Sequence, residues 1–317
     1  MAEEKDKQQD PYYRPAPTGS GVTRKQFLGI AAAGAAAAAA AALSPLKKFT
    51  DLPTMRQFLQ KHYTELTPED KKEILERISA QLAEKYGKTP RLTAQPPLDG
   101  VQYAYALNIG RCIGCRKCVY ACVAENNQSR DPQIHYITVL EMEKGAVNVE
   151  TSNTDYEGQV PREGHYYMPV QCHHCEKPPC TKVCPVKATW REPDGIVVVD
   201  YNWCIGCRYC AAACPYHARR FNYKEPYLPK EDFNPDTGYL SNRPRPVGTM
   251  EKCTFCLHRT RAGKYPACLE VCPTGSRKFG NLLDPGGEIA AIIRDKRVFI
   301  LKQERGTIPR FYYFTDV

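Results

Sequence analysis

Hydrophobic positions change rhythm as the chain proceeds. Residues 1–23 are polar and broken by Pro11, Pro15, Pro17, Gly19 and Gly21, a pattern that predicts no stable element. Residues 27–43 form one unbroken apolar run of 17 residues, mostly Ala with Gly29 and Gly34. A spanning helix needs roughly 20 apolar residues and Ala is only weakly apolar, so the run gives little support for a stable anchor. A helical period follows over 51–87. Thr67 and Asp70 stand as a capping box, Ile74, Leu75, Ile78 and Leu82 fall on one face, and Gly87 suits a C-cap. From residue 101 the rhythm shortens to β-type runs at 101–109, 134–142, 166–170 and 196–200, separated by cysteine clusters and Pro-rich loops. Residues 224–250 are a long Pro-containing connection. Regular structure is sparse here, so something other than a large apolar core must hold this part together.

The 317 residues amount to about two domains. A hydrophobic share of 42% and a charged share of 25% are ordinary for a folded chain. One long apolar run excludes a many-spanning membrane protein, and no collagen or coiled-coil period is present. Two counts depart from the ordinary: 16 Cys and 26 Pro.

The cysteines fall into four groups of four with none left over. The first group is Cys112, Cys115, Cys118 and Cys122, spaced C-x2-C-x2-C-x3-C, and the third repeats that spacing at Cys204, Cys207, Cys210 and Cys214. The second is Cys172, Cys175, Cys180 and Cys184; the fourth is Cys253, Cys256, Cys268 and Cys272. Pro follows the last cysteine of the second, third and fourth groups, whereas Val123 follows Cys122. A C-x2-C-x2-C loop lets three thiolates converge on three corners of one cubane. The fourth cysteine starts a helix pointing away, so it ligates the other cluster of a pair. Disulfides suit an exported protein, but adjacent C-x2-C pairs in four repeats make a poor disulfide framework. Zinc prefers paired C-x2-C knuckles. The groups therefore predict four [4Fe–4S] clusters in two ferredoxin-like pairs, and spacing alone leaves open which groups pair.

This changes the reading of charge. The formal net charge is +9 with every thiol counted neutral. Each cubane with four thiolates carries about −2, about −8 for four, which brings the loaded protein to about +1. The basic residues then read as counter-charges for buried anions. No basic stripe interleaved with aromatics points to nucleic acid.

Residues 101–317, about two thirds of the chain, resemble the four-cluster iron–sulfur subunit of complex iron–sulfur molybdoenzymes, whose relatives serve dimethyl sulfoxide, polysulfide, tetrathionate and formate-linked complexes and alternative complex III. The resemblance is carried by Cys112–Cys122, QCHHCEKPPCTKVCP at 171–185, DGIVVVDYNWCIGCRYCAAACPY at 194–216, and EKCTFCLHR with PACLEVCPTGSRKFG within 251–280. It implies an α+β fold of two interleaved two-cluster ferredoxin-like modules with short strands and helices, plus an N-terminal helical extension. The organisation is then a leader at 1–43, a helical extension and linker at 44–100, and the four-cluster domain at 101–317. The resemblance also implies that the first group pairs with the fourth and the second with the third. Cys112, Cys115 and Cys118 then share a cluster with Cys272, and Cys253, Cys256 and Cys268 share one with Cys122. Cys172, Cys175 and Cys180 go with Cys214, and Cys204, Cys207 and Cys210 with Cys184. Some relatives replace one cysteine of the third group and carry a [3Fe–4S] centre; Cys207 is present here, so none is expected.

The implied role is a wire between a multi-span quinone-interacting membrane subunit and a molybdopterin-family catalytic subunit, or a multihaem cytochrome in its place. The alternative is a free-standing soluble poly-ferredoxin shuttle. The extension at 51–87 and the connection at 224–250 favour a docked subunit. Nothing resembles a substrate site: there is no phosphate-binding loop, dinucleotide fingerprint or nucleophile triad. Arg111, Arg116, Lys117, Arg208, Arg219, Arg220, Lys252 and Arg259 lie where they could supply positive field to clusters, or equally be solvated. His173, His174, His217 and His258 lie near the motifs, but no cysteine is missing for them to replace. Trp190 and Trp203 read as packing shields.

Residues 23–28 resemble a twin-arginine export signal, with Arg24-Lys25 where that family has Arg-Arg, and small residues at 40–42 offer a cleavage point. Cubanes are assembled in a reducing cytoplasm and do not survive threading through a translocon for unfolded chains, so an exported version crosses folded. The expected place is the periplasmic or outer face of the membrane.

Overall fold

The computed structural model describes residues 67–316. The leader expected at 1–43 and the start of the extension, 44–66, lie outside the described residues. In chain order the elements are α1 (Pro68–Tyr86), β1 (Tyr103–Asn108), α2 (Lys117–Glu125), β2 (Thr138–Glu143), β3 (His165–Val170), α3 (Pro179–Lys182), β4 (Thr189–Arg191), β5 (Val197–Val199), α4 (Tyr209–Ala212), β6 (Arg220–Phe221), β7 (Met250–Glu251), α5 (Leu257–Thr260), α6 (Ala267–Glu270), β8 (Arg277–Asn281), α7 (Glu288–Asp295), β9 (Val298–Phe299) and β10 (Phe311–Phe314). The chain divides into two compact units after Gln81. Among the described residues no helix is long and apolar enough to cross a membrane.

α1 begins at the predicted box. The Thr67 N–H donates to Asp70 Oδ2 at 2.9 Å and the Asp70 N–H donates to Thr67 Oγ1 at 3.1 Å, so two orphan donors are satisfied reciprocally. Its last turn, in the second unit, stacks Tyr86 on Phe233 with ring centroids 4.4 Å apart. The following segment runs beside 235–239, with the Thr93 N–H on the Thr237 carbonyl at 2.9 Å and the Tyr239 N–H on the Thr93 carbonyl at 2.8 Å.

The main sheet has the order β8-β1-β10-β9, with β1 parallel to β10 and antiparallel to β8. Side chains alternate across it. Ala104, Ala106 and Phe314 meet Ile289 and Ile292 of α7 on one face. Tyr105, Phe279, Phe311 and Tyr313 face the main core on the other, where Tyr105 stacks on Phe311 at 5.0 Å. Three two-stranded ladders, β2–β3, β4–β5 and β6–β7, complete the described sheets. The expected runs at 101–109, 166–170 and 196–200 correspond to β1, β3 and β5. The run at 134–142 starts late, at Thr138, because Ile134 is turned back onto Ser129 by a backbone hydrogen bond of 3.2 Å.

The connection at 224–250 has few strands but many bonds. Asn127 Nδ2 donates to the carbonyls of Asn234 and Asn242, Asn242 Nδ2 donates to the Glu125 carbonyl, and Arg245 Nη1 donates to the Asn126 carbonyl. It is a polar cover over the C-terminal end of α2. Helices from distant motifs pack together, α2 against α6 and α3 against α4. The first motif is thereby joined to the fourth and the second to the third.

Candidate metal centres

Each motif bends the chain through a residue of positive φ just before its second cysteine. These are Gly114 (φ 72), His174 (φ 41), Gly206 (φ 70) and Phe255 (φ 53). Two are glycines, which enter that region freely. The other two are aromatic, and for the bulky Phe255 this φ is an outlier that surrounding structure must enforce. Their rings stack on one another with centroids 3.7 Å apart. Arg116 and Arg208 continue the turn at φ 55 and 64 and lead into α2 and α4.

Glycine is required at 206 by contact as well as by φ, since a Cβ there would run into the Gly248 carbonyl oxygen. Gly263 has φ +74 but open space around it. Gly206→Ala is therefore expected to lose about four irons of about sixteen per chain. Gly263→Ala is expected to keep them all and to cost only ~1–2 kcal/mol of backbone strain. Iron analysis of the two variants checks this; equal iron contents would contradict it.

The bends gather the cysteines into four quartets. Cys112, Cys115, Cys118 and Cys272 line one cavity, Cys122, Cys253, Cys256 and Cys268 a second, and Cys184, Cys204, Cys207 and Cys210 another. Cys172, Cys175, Cys180 and Cys214 are mutual electrostatic neighbours. None of the sixteen forms a disulfide. Among the described residues no three His, Cys, Asp or Glu side chains converge closely enough to hold a single metal ion.

Burial pushes the thiols up: Cys112 and Cys210 to about 11, Cys175 and Cys256 to about 12, with neighbouring cysteines adding to the rise in each. Buried thiols raised in this way become thiolates around a strongly cationic core, which is what an iron–sulfur cubane provides. Backbone N–H groups are ready for that charge. Those of Val186, Ala188 and Thr189 face Cys184, those of Tyr216 and Ala218 face Cys214, and those of Thr274, Ser276 and Arg277 face Cys272. Soft thiolate ligands, burial and donors aimed at sulfur all fit [4Fe–4S] clusters.

Two buried arginines bind the quartets together. Arg277 donates from Nη2 to Cys118 Sγ at 3.3 Å and from Nη1 to Cys268 Sγ at 3.8 Å, so one guanidinium touches sulfurs of two quartets. Tyr105 and Gln171 also hold it. Arg219 donates to Cys180 Sγ at 3.0 Å and to Thr189 Oγ1 at 2.9 Å, and Cys210 of the adjoining quartet is a further charge beside it. Its Nη1 is buried without a hydrogen-bond partner, and the residue lines the cavity formed by Cys184, Cys204, Cys207 and Cys210.

Comparison with known proteins agrees with these centres. Two family profiles described as 4Fe-4S dicluster domains match, one over residues 164–236 and the other over 111–188 and 203–276. The chain is 42% identical over 213 residues to a Halobacterium salinarum protein carrying the name of a dimethyl sulfoxide reductase iron–sulfur subunit, covering 67% of this chain and 78% of that one. It is 37% identical to a selenate reductase subunit of Mesobacillus selenatarsenatis, covering 71% of this chain and 76% of the relative. It is also 37% identical to a tetrathionate reductase subunit of Salmonella typhimurium, covering 67% and 72% respectively. The chain belongs to the four-cluster iron–sulfur subunits of the complex iron–sulfur molybdoenzyme family. It carries four [4Fe–4S] clusters and transfers electrons within a respiratory redox complex.

In this iron–sulfur subunit the cations singled out from sequence separate into four kinds. Arg219 and Lys252 are buried among the quartets, Lys252 with its Nζ on the Cys253 carbonyl at 2.7 Å. Arg111 and Arg259 are in ion pairs, with Asp316 and with Glu125 and Glu270. Arg116, Arg208 and Arg220 line a groove, and Lys117 is exposed. Arg277 was not among them, yet it stands five residues after Cys272 as Arg219 stands five after Cys214, each behind a Cys-Pro step. That repeat was the available signal. His173 and His174 are buried, and burial pushes both down, His173 to about 3. His174 Nδ1 accepts the Val197 N–H at 3.0 Å, while His173 packs on Tyr216 and Phe311. His258 bonds Glu125 at 2.7 Å and His217 is exposed. Trp190 packs against the core and Trp203 is partly exposed.

Proposed function

We propose that this subunit is a four-station wire with the stations in a fixed row. The ligand sets are Cys112, Cys115, Cys118 and Cys272 for the first; Cys122, Cys253, Cys256 and Cys268 for the second; Cys172, Cys175, Cys180 and Cys214 for the third; and Cys184, Cys204, Cys207 and Cys210 for the fourth. When bound, the clusters supply one-electron storage at each station. The chain supplies the order. Arg277 spans the first and second quartets. Gln171, next to Cys172 of the third, donates to Cys253 Sγ of the second at 3.7 Å. Arg219 joins the third and fourth.

The observation that carries the reading is the exposure along this row. All eight cysteines of the second and third quartets are buried, whereas all four of the first and three of the fourth are partly exposed. A wire needs accessible ends and a dry middle. One end then meets a multi-span quinone-interacting membrane subunit and the other a molybdopterin-family catalytic subunit or a multihaem cytochrome. Relatives named for menaquinol and menaquinone chemistry support a quinone side. Substrate chemistry belongs to the partner, and this chain has no substrate site of its own. The complex sits on the outer face of the cytoplasmic membrane after folded export, a reading supported by residues 23–28. Size-exclusion of a gently solubilised membrane extract tests it. Elution with larger subunits is expected; elution alone near 35.8 kDa would make the chain a soluble shuttle.

A further inference from the structure

A groove of about 1140 Å³ runs between α2 and α4. It exceeds the ~300–1,000 Å³ typical of small-molecule sites, which favours a polypeptide occupant. Five arginines line it against one carboxylate, Asp155. Arg130 is paired with Asp232 at 3.2 Å, and Arg219 is held by the Cys180 sulfur. Arg116, Arg208 and Arg220 have no carboxylate partner among the described residues. They are positioned without being neutralised. Arg116 donates to the Thr154 carbonyl and lies over the Tyr156 ring at 3.8 Å, and Arg208 reaches the Tyr223 hydroxyl at 3.4 Å. Arg220 donates to the His135 and His217 carbonyls and to Thr138 Oγ1, all at 2.9 Å. Arg116 and Arg220 are half-buried, where a guanidinium without a counter-ion is costly, and Arg208 is exposed. The local field is positive enough that, after burial, Arg220 and Arg116 help to push His135 down.

Apolar wall and aromatic rim complete the groove. Val119 and Val123 line its side, while Tyr120 and Tyr223 are 61% and 69% exposed. Arg116 follows Cys115 and Arg208 follows Cys207, so the groove reaches from the first quartet to the fourth.

We propose that this groove receives an extended acidic segment of a partner subunit, its carboxylates meeting Arg116, Arg208 and Arg220 and its apolar side chains lying along Val119 and Val123. The concave shape rules against a flat lipid surface as the occupant. An occupant there clamps the two ends of the row at once. The inference rests on the reading of the chain as a docked subunit.

The test uses the purified complex with a photo-crosslinking residue at Tyr120 or, separately, Tyr223, and mass spectrometry of the attached peptide. An Asp/Glu-rich peptide from another subunit is expected. Its yield per intact, iron-loaded complex is expected to fall about tenfold in Arg116→Gln/Arg208→Gln, since each change removes a charge-assisted contact. Raised salt on the unmodified arginines is expected to lower the yield as well, and this needs no variant to fold. A neutral or basic peptide, a lipid adduct, attachment to this chain's own leader, or a salt-insensitive yield would overturn the proposal while leaving the wire intact. Elution of the chain alone would remove both readings.

Discussion

Replacing Arg277 with glutamine is expected to lower the reduction potentials of the first and second clusters together, and to lower the melting temperature of the loaded protein. Arg277 is buried, and although burial opposes its charge, Cys118, Tyr105 and Cys268 outweigh that and hold it cationic. At 3.3 Å from Cys118 Sγ the attraction is about 5 kcal/mol at an effective dielectric of about 20. Positive charge beside the sulfurs favours the reduced, more negative cluster, so its loss makes reduction harder. Removing one partner of a buried charged contact costs ~3–5 kcal/mol, or roughly 6–20 °C in a domain of this size. Arg277→Lys keeps the charge but not the fork, so it is expected to recover the potentials better than the stability. Potentiometric titration followed by electron paramagnetic resonance reads the first effect and calorimetry the second. Unchanged potentials in the glutamine variant would refute the electrostatic role.

Cys268→Ser is expected to abolish electron transfer from end to end while both ends stay reactive. Cys268 belongs to the buried second quartet. Its loss is expected to lower iron from about sixteen to about twelve per chain. Small dyes reacting with either partner subunit are expected to work as before, because the first and fourth quartets are intact, whereas the full quinone-linked reaction stops. The corresponding change at an exposed end, Cys207→Ser, is expected to block exchange with only one partner. Full turnover in a Cys268→Ser protein shown to lack one cluster would mean that the quartets do not act in a single row.

What could be read from the sequence was what is local. The Thr67–Asp70 box spans one helical turn, and the cysteine motifs announce themselves within a few residues. The β-type runs at β1, β3 and β5 carry their own hydrophobicity. β10 escaped because Phe311–Phe314 becomes a strand through parallel pairing with Tyr105–Asn108, about two hundred residues earlier. β8 escaped for the same reason, as its partner is also β1. The connection at 224–250 looked like a spacer because its value lies in side-chain amides that bond distant backbone. Choosing cations by nearness to a motif found Arg219 and passed over Arg277, although both follow the same Cys-Pro offset. The aromatic residues at 174 and 255 occupy the place that glycine takes in the other two motifs. Only the fold shows that they stack against each other.

The connectivity of the motifs is nested, the second and third groups lying wholly inside the span between the first and fourth. On the proposed ligand sets, everything needed for the third and fourth stations has left the ribosome once Cys214 is out. Cys112, Cys115 and Cys118 must wait for Cys272. The amino-terminal thiols are therefore the earliest made and among the last satisfied, open to stray metals and oxidants throughout synthesis. Maturation of this protein is thereby tied to synthesis of the fourth group, and a chain terminated before it could load only the third and fourth stations.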